Sequence, residues 1–264
     1  MFRKVLAGGL VLSLFALPNA VADSHQAFSH LHDVRVFGNE ILLGTHEGLY
    51  KYIDRDSFKK IGEESHDVMG LSVFGKRIFA SGHPAPGSSL PNPVGLLMSS
   101  DKGVTWKKIS LQGKTDFHFL EVASNQIYGV DAGSGELMYS ANLGKSWKNL
   151  GRNTFSDIAI NPRVKGSALA LRDGKLYTSN DLLKTIKEVK TGMTLTSIDW
   201  SKKSLLAAFG NSLMRSVDGG KTWSKVKTFA AAIGSISQSE TLIVAIAGNT
   251  IQQSRDNGKT FIHK

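Results

Sequence analysis

The sequence contains no cysteine. A disulfide framework, a lipid-modified cysteine anchor and thiolate metal ligation are all excluded, so the fold must be held by packing and hydrogen bonding. Proline is scarce, and four of the six prolines crowd into HPAPGSSLPNPVG at 83–95. Beyond residue 22 no run of about 18 apolar residues occurs, so that part of the chain is not expected to insert into a membrane. Metal motifs that can be read from spacing alone, such as HExxH, are also missing.

What is present is the profile of a folded protein with one large core: 264 residues, 41% hydrophobic and 20% charged. The first 22 residues stand apart. Arg3 and Lys4 form a short basic start, Val5 to Leu17 an apolar stretch, and Ala20-Val21-Ala22 a small-x-small cleavage site. This is the pattern of a secretory signal peptide, predicting a periplasmic or secreted protein cut after Ala22. The formal charge is +10, of which Arg3 and Lys4 carry two. Such a surface suits an acidic protein or glycan surface. Its lysines are scattered through turns instead of gathered on one segment, which argues against nucleic acid as the partner.

The octapeptide SVDGGKTW at 216–223 has near-copies SSDKGVTW at 99–106, SANLGKSW at 140–147 and SRDNGKTF at 254–261, with a worn copy SNDLLKTI at 179–186. Short apolar strands recur at fixed places around each copy: GLLMS, ELMYS, KLYTS, SLMRS and TIQQS before it, WKKI or WSKV after it, and two further runs upstream, such as DIAI with ALAL. Four short antiparallel strands in roughly 40 residues are the signature of one propeller blade. The repeats predict an all-β, six-bladed β-propeller in a single domain over 23–264, with units of about 28–62, 63–111, 112–151, 152–190, 191–228 and 229–264. The last unit carries its own fourth strand, so the ring is expected to close by packing of the first blade on the sixth.

The octapeptide falls where the third strand reverses into the fourth. Its glycine tolerates positive φ, its Asp or Asn can accept hydrogen bonds from the turn, and its closing Trp or Phe can bury a ring. It resembles the Asp-box repeat of sialidases, sortilin-type receptors and photosystem assembly factors, in which it is structural and lies away from the active site. Function is therefore expected on the opposite face, where strand one of each blade begins and strand two ends.

Six histidines fall there. His30 and His32 open the first unit, and His46 ends its second strand; His66 opens the second unit and His83 ends its second strand; His118 opens the third. Alignment of the units brings Asp67 with Met69, and Asp116 with His118, onto the register of His30 with His32. Alternate residues of a strand share a face, so all three pairs can look into the channel mouth. Imidazoles with carboxylates and a thioether suit copper, zinc or nickel better than calcium or magnesium. A pocket for a small polar ligand, bound through Asp67, Met69 and Asp116 among the histidines, is a second reading, and plain packing a third. The Pro-rich insertion at 83–95 joins strands two and three of the second unit at this mouth, as a lid or as a surface loop.

HLHD (30–33), GTHEGLYKY (44–52), HDVMG (66–70), SGHPAPG (81–87), NPVGLLMSSDKGVTW (92–106) and DFH (116–118) together resemble a bacterial family of exported Asp-box propellers labelled glycosylhydrolase or exo-alpha-sialidase-like. The resemblance implies the propeller fold, and its label implies a glycoside hydrolase, for which Asp67, Asp116 and Asp131 are the acid/base candidates. The arrangement of a sialidase is not matched, since Tyr50, Tyr52, Tyr139 and Tyr177 fall on third strands, away from the channel. The sequence thus favours an exported, non-catalytic propeller that binds a transition metal or small polar ligand through its His-rich face. A glycoside hydrolase and a protein-assembly scaffold are the alternatives.

Overall fold

The computed structural model describes residues 30–55 and 57–263. The expected leader at 1–22, its cleavage point and the start of the first unit at Phe28 lie outside the described residues. Six antiparallel sheets follow one another along the chain. In the second, Asp67–Phe74, Arg77–His83, Leu96–Ser99 and Lys107–Ser110 pair in sequence order. Among the described residues five sheets have four strands. The sixth has three, and its fourth position is one bridge, in which Gln253 and Ile262 exchange both backbone hydrogen bonds at 2.9 Å. The molecule is a six-bladed β-propeller. No helix of the described residues is long and apolar enough to cross a membrane.

The local sequence explains the radial order. Second strands such as ALAL (168–171) and LLAA (205–208) are buried at every position, because each sheet is packed by a neighbour on both faces. Small alanines there let adjacent sheets approach. Fourth strands such as KNLGR and SKVKT are exposed at four of five positions. Their charged residues keep the outer edges from pairing with another chain.

The innermost strands, Leu31–Phe37, Asp67–Phe74, Phe117–Ala123, Asp157–Ile160, Ser197–Trp200 and Ile233–Gln238, surround a central channel. One device joins each to the next: a side chain of one strand accepts the backbone N–H of its neighbour. Ser72 Oγ accepts from Val122 at 3.1 Å, Asp157 from Ile198 at 2.8 Å, Asp199 from Gln238 at 3.1 Å and Ser237 Oγ from Val36 at 2.9 Å. Leu71 and Ile160 donate in the same way to Asp33 and Glu121. The Ser237 link closes the ring, with Val34, Val36, Ile41 and Leu43 of the first blade packed on Leu242 and Val244 of the sixth. Among the described residues no strand is shared across the seam.

The octapeptides sit where the sequence puts them, between strands three and four. Ser99 Oγ donates to Asp101 at 2.7 Å and accepts from Gly103 N–H at 2.7 Å, while Thr105 N–H donates to Asp101 at 3.0 Å. The other four copies repeat this pattern. The glycine also meets the preceding blade. At Gly144, with φ +82°, an added Cβ would lie 2.0 Å from Leu96 Cδ2. In the worn copy Leu183 holds the glycine position at φ 61°, and its own side chain fills the junction with Tyr128 and Tyr139.

Arg35 occupies the channel. Its Nε donates to Leu71 O at 2.7 Å and its guanidinium reaches Leu120 O and Asp33, so one side chain ties three blades. Asp33, Glu121, Asp157 and Asp199 surround it. Scarce hydration in the channel raises all four carboxyls against the pull of Arg35, Glu121 to about 8 and Asp157 and Asp199 to about 6. Between the ordinary carboxyl range and these values the folded chain holds protons that the unfolded chain has lost, so stability falls as pH rises. His66, pushed down to about 4 by burial, and His32, lowered by burial as well, oppose this below about pH 6.5. Urea midpoints are accordingly expected to fall from pH 5 to pH 8. Glu121→Gln should flatten the part above pH 6, and an unchanged slope in that variant would sink the assignment.

Candidate metal centre

Antiparallel pairing brings the start of each inner strand beside the end of the second. Leu31 pairs with Thr45, Asp67 with His83 and Phe117 with Asp131. All three pairings carry a register shift here that leaves His32, Met69 and His118 as the extra residues of equivalent β-bulges. A bulge re-aims its side chain, and at two of the three positions that side chain is an imidazole. Neighbouring blades also approach closely. A Cβ on Gly70 would stand 2.4 Å from Phe117 O, so only glycine lets the second and third blades meet here.

Two groups of side chains form across these blade junctions. In the first, His32 Nε2 lies 3.1 Å from Asp67 Oδ1 and His46 Nδ1 lies 2.8 Å from Asp67 Oδ2, with the two rings edge to face at 4.5 Å. In the second, His83 Nε2 and His118 Nε2 lie 3.2 and 2.8 Å from Asp116 Oδ2. Each group thus joins an imidazole ending strand two of one blade to a carboxylate opening the next. Within each group the donor atoms lie within 4.8 Å of one another, a spacing at which one ion could touch all three.

Burial lowers the His32 pKa, and His46, His30 and His118 push the same way, against the attraction of Asp67. His32 Nε2 and Asp67 Oδ1 are close but not aligned as a hydrogen bond, and both are buried without a partner, as is Asp116 Oδ1. His83 Nδ1 meets Asn92 Oδ1 of the Pro-rich loop at 3.0 Å. Asn92 as acceptor keeps the proton on Nδ1, which leaves the Nε2 lone pair facing a carboxylate.

A family model of the BNR/Asp-box repeat matches residues 214–225. The protein is a β-propeller that carries a BNR/Asp-box repeat. None of the curated proteins matches its sequence. Among solved structures, YCF48 bound to D1 peptide is 15% identical with a TM-score of 0.50, covering 88% of this chain and 79% of that one. The chain from a nidogen/laminin complex is 9% identical with a TM-score of 0.58 (84% and 91% covered). An extracellular domain of a one-component system from B. thetaiotaomicron is 10% identical at 0.54; this chain spans 33% of its length. At these identities the likeness is one of fold.

The remaining histidines and acids of the propeller lie as follows. His30 is exposed and stacks edge-on to His46 at 5.0 Å, at the rim of the first group. Met69 is half-buried in the bulge between the two groups. Asp131 is engaged by the fold: burial raises its pKa, but hydrogen bonds from Ser134 and the Asp116 N–H outweigh this and hold it below the usual range. His66 belongs to neither group. It is 1% exposed and packs edge-on to Trp106 at 5.2 Å, with neither ring nitrogen hydrogen-bonded. Asn92 and the channel acids Glu121, Asp157 and Asp199 are not marked by the histidine pattern; only the proline-rich setting of Asn92 hints at its place.

Burying unpartnered polar atoms costs more than burying an apolar ring of like shape. His66→Phe should therefore stabilise the propeller by about 1 kcal/mol, seen as a melting temperature about 2–4 °C higher. A lower melting temperature would mean that the imidazole has a stabilising partner.

Proposed function

We propose that the protein is an exported, non-catalytic propeller that binds a transition metal ion in each of the two His/Asp groups at its channel mouth, His32–His46–Asp67 and His83–Asp116–His118. The observation that carries this reading is the convergence of imidazole nitrogens and carboxylate oxygens. Imidazole nitrogens and carboxylate oxygens face one another, with His32 Nε2, Asp67 Oδ1 and Asp116 Oδ1 buried and unpartnered, and the same arrangement recurs on consecutive blade junctions. Lone pairs brought together in this way repel unless a proton or a cation lies between them. Two imidazoles and one carboxylate, without thiolate, suit zinc, copper or nickel. His30 is placed to add a fourth donor to the first group. Export rests on the leader pattern of residues 1–22.

Glycoside hydrolysis through Asp67, Asp116 and Asp131 has less support, because the first two carboxylates are held by imidazoles and the third by the turn at Ser134. The lysine-bearing fourth strands favour a second reading, a docking scaffold for an acidic protein, whose binding would weaken with added salt.

Titration calorimetry of untagged protein with zinc is expected to give two equivalents. Asp67→Asn should remove one and Asp116→Asn the other, with folded circular dichroism retained. A protein that takes up no zinc, copper or nickel overturns the proposal.

A further inference from the structure

Beside the second group lies a cavity of about 180 Å³ between the third and fourth blades. His118 stands at one end of it. The walls are Phe119 and Val130 of the third blade and Phe155 and Ile158 of the fourth. Three polar side chains also line it, and the fold already uses each of them. Asn153 exchanges hydrogen bonds with Phe155 N–H and Phe155 O at 3.1 and 2.9 Å, and Ser156 Oγ bonds Leu171 O at 3.3 Å. Asp157 accepts from Ile158 N–H and Ile198 N–H. These polar groups are therefore committed to the fold, and the polar attachment for an occupant comes from the His118 end.

Among the described residues the second group offers three protein donors, and a four-coordinate ion held by three keeps one position for an outside ligand. Side chains of His83 and His118 remain 41% and 42% exposed, so that position is reachable from solvent. The space suits a fragment-sized body, well below the 300–1,000 Å³ of drug-sized sites. An anionic head would be drawn to an ion carrying more positive charge than Asp116 neutralises.

We infer that the ion of the second group and the adjoining cavity together form a receptor for a small monocarboxylate, its carboxylate on the metal and its apolar body between Phe119, Val130 and Phe155. This rests on the metal reading above. It goes further by naming a ligand class and the blade junction that selects it.

Cobalt(II) substitutes for zinc and reports its ligands through visible absorption. Cobalt-loaded protein titrated with acetate, benzoate and 2-naphthoate should bind benzoate at least about tenfold more tightly than acetate, as burial of one aromatic ring in the cavity requires. Naphthoate, too large for the space, should bind more weakly than benzoate. Phe155→Ala should bring benzoate towards acetate while cobalt uptake stays intact, and Asp116→Asn should abolish the carboxylate-dependent spectral change. Equal affinities for acetate and benzoate, or a benzoate preference that survives Phe155→Ala unchanged, overturn this inference and leave the metal reading standing. Failure to take up cobalt at all overturns both.

Discussion

The structure depends on a ring of hydrogen bonds around the channel, in which each inner strand presents a side-chain oxygen to the backbone N–H of the next. An inner strand is saturated towards its own blade and has no sheet partner on the channel side. Buried N–H groups left there would each lose a hydrogen bond to water. Serine, aspartate and glutamate at equivalent positions satisfy them and set the rotation between blades. The same choice places four carboxyl groups around Arg35 in the channel, so the ring that orders the blades also holds carboxyls raised above their ordinary range.

The Asp-box is a stitch in two directions. Within a blade, its serine and aspartate hold the turn between strands three and four; between blades, its glycine is where the preceding sheet comes closest. The copy at 179–186 separates the two roles. It keeps Ser179, Asp181 and Thr185 and hence the turn, while Leu183 replaces the glycine and fills the contact with the third blade from its own side.

At the opposite face the blades differ. The first three carry imidazoles and carboxylates where strand one begins, and glycine at 70 lets backbones meet there. The last three offer no histidine at these positions. The candidate site is therefore one-sided, spread over the junctions of blades one to three and opening towards the apolar cavity before blade four. A propeller supplies such a gradient readily, since each junction is built from its own pair of loops on a common frame.

The sequence by itself determined the blade. A 40-residue period, alternation within strands and a turn-forming octapeptide leave one antiparallel unit, and six of them leave a ring whose His-rich ends share a face. Those are local properties, fixed by spacing along the chain. Tertiary structure alone decided which imidazoles meet. His46 finds Asp67, and His83 finds Asp116, across blade boundaries that no periodicity within a unit describes. His66, adjacent to Asp67 in sequence, turns away to Trp106, because neighbours along a strand face opposite sides. The bulges at His32 and His118 break the simple alternation once more, and their effect depends on a partner strand's register, which exists only in the folded sheet.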